Sequence, residues 1–204
     1  MVTPLSPIEA YGARSAEYVA VLGHIDATAA EDRDLLRTWA RGITGEVLDV
    51  GCGPGHWTEY LRTEGVAIAG IDPVPSFVRY ASERYPESRF LEGKAEHLPA
   101  ADRSIGGILV WYSLIHTPPE ELGAALAECA RVLVPGGSLA IGFFTGPEIA
   151  PFDHAVVTAY AWPAAELAAR IESAGFDVLE THERTDPGAR PHGAILARRS
   201  AALA

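Results

Sequence analysis

The segment EVLDVGCGPGHW, residues 46–57, constrains the fold of this 204-residue chain more than any other stretch. Val47, Leu48 and Val50 form a short apolar run of the kind that makes a buried strand. Gly51, Gly53 and Gly55 then force a turn, and a helical pattern follows through Trp57 and Leu61. Such a turn lets a ligand approach the backbone and faces it with the positive end of a helix dipole. Two nucleotide-binding patterns can be tested against it. A phosphate-cradling loop needs G-x-x-x-x-G-K-[ST], but His56 stands where its second glycine belongs and no lysine lies nearby. The dinucleotide fingerprint G-x-G-x-x-G matches at Gly51 and Gly53, but His56 again replaces the glycine that lets helix and strand pack closely.

The chain after this turn alternates between strand and helix. Strands are expected at residues 47–50, 66–71, 89–92, 105–111 and 138–144. Helices are expected at residues 54–63, 75–85 and 118–133, with Pro54 in the first turn of one. Thr117 as N-cap, followed by Pro118, Pro119 and Glu120, suggests a capping box for another. Helices at residues 8–22 and 26–41 precede the turn. Near the end, a helix at residues 164–174 stops at Gly175, and strands at 176–184 and 193–199 flank Asp186-Pro187-Gly188. Residues 145–162 show no clear element and read as a binding loop. Near-continuous apolar strands alternating with helices imply an α/β, doubly wound, mostly parallel sheet of about seven strands. An antiparallel C-terminal hairpin closes it. The expected organisation is one domain, with residues 1–43 as a helical cap and 44–204 as the core.

Charge and cysteine content narrow the function. With 27 acidic and 16 basic side chains, the net charge of -11 repels a phosphate backbone. Arg79, Arg84, Arg89, Arg198 and Arg199 are too scattered to form a basic patch, so nucleic acid is not an expected partner. Cys52 and Cys129 make neither a disulfide framework nor a zinc site, and no metal is expected. The N-terminal stretch MVTPLSPIEAYG lacks the basic and apolar regions of a signal peptide, and no apolar run approaches the ~18 residues needed to span a bilayer. The expectation is a cytoplasmic monomer or homodimer with no membrane contact.

A third reading of the glycine turn fits better. Glu46-Val47-Leu48-Asp49-Val50-Gly51-Cys52-Gly53-Pro54-Gly55 is E-x-L-D-x-G-C-G-x-G, which resembles the first motif of class I S-adenosylmethionine-dependent methyltransferases. A second feature is in register with it: Asp72, in Gly70-Ile71-Asp72-Pro73, stands at the end of the second strand, about where an acid ~20 residues on meets ribose hydroxyls. Taken alone, Asp72 before a proline also reads as a helix cap. Residues 131–139, RVLVPGGSL, match the family's helix-to-fifth-strand connection.

The resemblance implies a Rossmann-like fold, S-adenosyl-L-methionine as cofactor and S-adenosyl-L-homocysteine as product. It places Gly51, Cys52 and Gly53 against the methionine part, with helix N-terminal amides facing its carboxylate and Asp49 near its cationic end. Asp72 and Pro73 would meet the ribose, and Ala95 and Glu96, in LEGKAEHLP, the adenine. Lys94 departs from the family by standing where an aspartate often accepts the adenine amino group, since a lysine accepts nothing. Gly106 departs where an Asp is frequent, which implies a local structural effect. Trp111 and Tyr112, after the fourth strand, would line the methionine side, or else pack the sheet edge. Tyr18 would close over the cofactor from the N-terminal helix, with Tyr11 and Arg14 toward the acceptor. The competing reading is a solvated helix face with two packed tyrosines. His116 is the first candidate for a general base or acceptor contact, beside a purely structural role, and His154 is the second. Cys52 and Cys129 read as packed small residues. The implied reaction is in-line methyl transfer to a small-molecule acceptor. An NAD(P)-dependent oxidoreductase and a non-catalytic S-adenosylmethionine sensor are the alternatives.

Overall fold

A computed structural model describes residues 5–201, so the N-terminal stretch before Leu5 lies outside the described residues. Its centre is β1 (Val47–Val50), a wholly buried strand that runs parallel to β2 (Ile68–Asp72) on one side and β4 (Ile105–Trp111) on the other. β3 (Arg89–Glu92) lies parallel beyond β2, and β5 (Leu133–Thr145) lies parallel beyond β4. The sheet order is therefore β3-β2-β1-β4-β5, and it reverses direction between β1 and β4. Open α/β sheets bind ligands at the carboxyl ends of strands flanking such a switch. β8 (Phe176–Arg184) and β9 (His192–Arg199) form the expected antiparallel hairpin, and β9 pairs with β5 over Ser138 to Phe144.

Residues 145–162 are less irregular than the sequence suggests. They hold β6 (Ala150–Phe152) and β7 (Ala159–Trp162), an antiparallel pair that raises the described sheet to nine strands. β7 runs parallel to Phe144 and Thr145, past the point where β4 stops pairing at Gly142. Since β9 occupies the other edge of Phe144, β7 continues on the edge that β4 vacates. The hairpin thus overhangs the carboxyl end of β4, and the Tyr160 amide donates to the Ile115 carbonyl.

Alternation along the strands sends side chains to two helical layers. Leu48, Val50, Ile108 and Val110 pack with Leu122, Leu126 and Cys129 of α6 (Leu122–Val132) and Leu167 and Ile171 of α7 (Ala164–Ser173). Val47, Leu109 and Ala140 pack with Leu36 and Trp39 of α3 (Ala30–Arg41) and Trp57 and Leu61 of α4 (His56–Thr63). Cys129 is wholly buried core, and burial pushes its thiol up to about 12. No helix of the described residues is long and apolar enough to cross a membrane.

Four helix starts or spans differ from the sequence expectation, each for a local reason. The first helix is two, α1 (Pro7–Ala13) and α2 (Ser15–Leu22), broken at Arg14 with φ −114 and ψ 15. Residues 26–41 divide into a short 3-10 turn, Ile25–Ala27, and α3, because Thr28 and Ala29 are extended. α4 excludes Pro54, because Gly55 takes a left-handed φ of 83 that no helix contains. Gly55 also brings helix and sheet together, since a Cβ there would stand 2.7 Å from the Phe90 ring. α6 begins at Leu122 with no side-chain cap, so the Thr117–Glu120 capping box is absent. Thr117 and Pro118 each precede a proline, which disfavours helical backbone at both. α5 (Pro75–Arg84) forms as expected after the end of β2.

Candidate functional site

The carboxyl ends of β1, β2, β3 and β4 enclose a cavity of about 460 Å³, and α1 and α2 cover it. Clefts of ~300–1,000 Å³ hold small ligands and cofactors. Gly51 and Gly53 line it from the turn after β1. Gly51 has φ 75, and a Cβ there would lie 2.2 Å from the Cβ of Ser113, so only glycine lets the turns after β1 and β4 meet. The Oγ of Ser113, beside it, is buried without a hydrogen-bond partner.

Asp72 stands at the cavity wall although it is only 5% exposed. Its Oδ2 accepts the Gly53 amide and its Oδ1 the Val74 amide, each at 2.8 Å. Burial pushes the carboxyl up to about 6, against the two amide bonds, which lower it. Asp72 does not cap α5, whose N-cap is Val74 with no side-chain cap bond; its bond to the Val74 amide orders the turn before that helix, and the Gly53 bond adds a tie across strands. Pro73, Lys94, Ala95 and Glu96 continue the wall along the ends of β2 and β3. Lys94 and His97 form an isolated bridge that turns the backbone there.

Trp111 and Tyr112 form the wall on the β4 side. Tyr112 has φ 55, a left-handed conformation that a bulky residue adopts only under constraint. Its amide donates to Gly142, and its ring sits edge-on to Trp111 at 5.5 Å between centroids. From the cover, Tyr11 and Tyr18 reach in and pack against each other at 5.4 Å. His116 lines the cavity with its Nε2 2.9 Å from the Tyr11 hydroxyl and its Nδ1 2.8 Å from the Thr158 carbonyl.

The remaining expected residues lie outside the wall. Asp49 is buried beneath the turn, where its Oδ2 accepts the Thr58 hydroxyl of α4 at 2.6 Å. Burial pushes this carboxyl up to about 7, with the Thr58 bond opposing and the Asp72 charge adding to the rise. Cys52 points into a small cluster with Ala81 and Phe90, and burial holds its thiol far above the usual range. Arg14 is half-exposed, paired with Glu17 at 2.7 Å and bonded to the Ala155 carbonyl. His154 lies behind His116, with ring centroids 5.0 Å apart, and burial pushes it down to about 4.

The turn's amides are already spent. Gly51 and Cys52 donate to the Ile71 carbonyl at 2.7 and 3.1 Å, and Gly53 donates to Asp72. What this turn offers a ligand is therefore carbonyl oxygen and a close backbone approach.

The structure also adds wall residues that sequence reasoning did not single out: Val74, Phe77, Ser113 and Leu114. Phe77, on the first turn of α5, touches both tyrosines, at 6.0 Å from Tyr11 and 5.4 Å from Tyr18. Its place on the first turn of α5 gives Phe77 the look of an ordinary core aromatic in the sequence. Gly106 is explained by its neighbours: a Cβ there would stand 2.1 Å from the Thr44 carbonyl oxygen, so no side chain fits.

Residues 47–137 match a family model described as a methyltransferase domain. Among curated proteins, an uncharacterized methyltransferase of Synechocystis is 29% identical, over 67% of this chain and 69% of that protein. A malonyl-[acyl-carrier protein] O-methyltransferase of Pectobacterium atrosepticum is 36% identical, over 47% of this chain. That match spans only 37% of the O-methyltransferase, well under half its length. Among solved structures, the 1,6-didemethyltoxoflavin-N1-methyltransferase of Burkholderia thailandensis, with 1,6-didemethyltoxoflavin and S-adenosylhomocysteine bound, superposes with a TM-score of 0.72 at 21% identity, covering 98% of this chain and 93% of that one. The motif after β1 lies inside the match to the methyltransferase domain, and the fold over nearly the whole chain is similar to that of solved methyltransferases, S-adenosylmethionine-dependent ones among them.

Proposed function

We propose that this chain transfers a methyl group from S-adenosylmethionine to a small-molecule acceptor and releases S-adenosylhomocysteine. The observation that carries the reading is the placement of Asp72 at the wall of the cavity, tied to Gly53 and next to the turn after β1. A carboxylate whose oxygens each keep a free lone pair can accept from both hydroxyls of a ribose. Ala95 and Glu96 then face the adenine, and a backbone edge or Glu96 takes the place of the acceptor that Lys94 is not.

The residues at the other end suit an amino acid zwitterion. Carbonyl oxygens of the Gly51–Gly53 turn would accept from its ammonium group. Trp111, Tyr112 and Tyr18 exclude water from the methionine side. The bound sulfonium supplies an already activated methyl group, so alignment of the acceptor provides much of the catalysis. Effective molarities of ~10⁵ M and above indicate how much orientation contributes. The solved structure of similar fold with 1,6-didemethyltoxoflavin and S-adenosylhomocysteine bound lends support to a small-molecule substrate.

The test is incubation of the protein with methyl-labelled S-adenosylmethionine and fractionated cell extract, with labelled products identified by mass. A labelled product of low molecular mass is expected. Label found only in protein or nucleic acid would contradict the small-molecule acceptor.

A further inference from the structure

His116 sits on the turn after β4, and its ring is fixed by two neighbours of different character. Nδ1 lies 2.8 Å from the Thr158 carbonyl oxygen, in the segment that leads into β7. A carbonyl can only accept, so Nδ1 carries the ring proton. Nε2 therefore presents its lone pair, and the Tyr11 hydroxyl, 2.9 Å away on α1, donates to it. Both partners are held neutral. Burial lowers the His116 pKa, although the Thr158 bond opposes the shift. Burial, with the Tyr18 and Asp72 charges, raises that of Tyr11. His154 packs against the outer side of the imidazole and contributes no acid.

Both side chains line the cavity, and their surroundings are apolar and aromatic. Phe77, Leu114 and Pro118 form the adjoining wall. The charged residues of the lining are Asp72, Lys94 and Glu96, at the ends of β2 and β3, and the exposed Glu121. Among the described residues His116 is the side chain hydrogen-bonded to Tyr11, and the Asp72 charge that reaches Tyr11 disfavours an anionic acceptor beside it. What the wall offers there is a phenol oxygen with lone pairs to spare, backed by a neutral base.

We propose that the methyl acceptor is a neutral aromatic hydroxyl compound and that Tyr11 and His116 relay its proton. This inference rests on the methyltransferase reading above. The acceptor hydroxyl donates to the Tyr11 oxygen while Tyr11 donates to His116 Nε2. In the transfer, the acceptor's O–H bond breaks, Tyr11 takes that proton, and Tyr11's own proton passes to Nε2. The electron pair left on the acceptor oxygen forms the new O–CH₃ bond as the S–CH₃ bond breaks and leaves its pair on sulfur. The positive charge of the sulfonium ends on the imidazolium. Burial disfavours that cation, so His116 returns the proton to water and recovers its base form.

The test uses 4-nitrophenol as the probe, in buffer acidic enough to keep it un-ionised, titrated by its absorbance into the full chain saturated with S-adenosylhomocysteine. Tyr11→Phe, His116→Ala and His116→Gln are compared with wild type, and 4-nitroanisole, which lacks the proton, serves as the control. The expected result is 4-nitrophenol binding about five- to tenfold weaker in Tyr11→Phe and His116→Ala, the loss for one hydrogen bond. His116→Gln, which keeps an acceptor, should recover part of it, and 4-nitroanisole affinity should not change. Affinity for S-adenosylhomocysteine, measured in every variant, confirms an intact cavity. If wild type binds S-adenosylhomocysteine but its 4-nitrophenol affinity is absent or indifferent to all three variants, the acceptor inference falls and the methyltransferase reading stands. If wild type binds no S-adenosylhomocysteine, both fall.

Discussion

The Gly53 amide donates to Oδ2 of Asp72 at 2.8 Å, a side-chain bond that joins those of the Gly51 and Cys52 amides to the Ile71 carbonyl in fastening the glycine turn after β1 to the end of β2. The two sequence motifs that face the cavity are thus one mechanical unit. Asp72→Ala removes both the tie and the carboxylate at the cavity wall. We expect affinity for S-adenosylhomocysteine to fall by ~1.5–3 kcal/mol, the range for hydrogen bonds to a charged group. Titration calorimetry with parallel urea unfolding checks it. A loss of stability with ligand affinity unchanged would reduce Asp72 to a structural tether.

Asp49 and Thr58 predict a pH dependence of stability. A carboxyl whose folded pKa is raised binds its proton more tightly in the folded state. Its contribution is therefore full below the unfolded value of 3.8 and is lost as pH rises through about 7. Asp72, pushed up to about 6, acts in the same direction. His56, buried and pushed down to about 4, acts oppositely, and its contribution is lost as pH falls from 6.5 through that value. Asp49→Asn isolates the first effect because the others cancel against wild type. The stability of the variant relative to wild type should rise from pH 4 to pH 7 and level off by pH 8, by a few kcal/mol at most. Urea unfolding across this range reads it, and a difference independent of pH would contradict a buried, proton-binding Asp49.

Gly51→Ala tests the close meeting of the turns after β1 and β4. The new Cβ would stand 2.2 Å from that of Ser113, on a backbone with φ 75. Thermal unfolding should show a loss of ~2 kcal/mol or more, and Ser113→Gly in the same chain should recover only the steric part. Full recovery would mean that the backbone conformation costs nothing.

Much of this architecture is legible in the chain, and the misses share a cause. β4 reads residue for residue, because Ile105–Trp111 is apolar throughout and bounded by polar turns. The parallel direction of β1 to β5 follows from strand–helix alternation, whereas their order shows only in the fold. β6 and β7 escape because they are short, and β7 is held by pairing with the far end of β5, a partner that no local pattern announces. The false capping box at Thr117 shows the opposite error, a local signal overruled by two consecutive prolines. In the site, Asp72 is found because its spacing from the glycine turn is a motif. Phe77 is missed because an aromatic on a helix's first turn looks like core. The Tyr11–His116–Thr158 chain joins three distant segments and exists only in the fold.

Arg14 marks the break between α1 and α2 and bonds the Ala155 carbonyl, which links the cover to the loop between β6 and β7. Arg14→Ala should speed amide hydrogen exchange in α1, α2 and residues 153–158 while leaving the core strands unchanged. Exchange by mass spectrometry resolves this. Equal acceleration throughout the sheet would show that Arg14 supports the whole fold instead.

Calorimetric titration of the wild-type protein with S-adenosylhomocysteine, with NAD as the comparison, asks whether the cavity at the carboxyl ends of β1 to β4 takes S-adenosylmethionine. The account predicts saturable one-to-one binding of S-adenosylhomocysteine, none of NAD, and a stabilisation of ~2.7 kcal/mol at a hundred times the dissociation constant. Binding of NAD, or the absence of any heat and any stabilisation with S-adenosylhomocysteine, would contradict it.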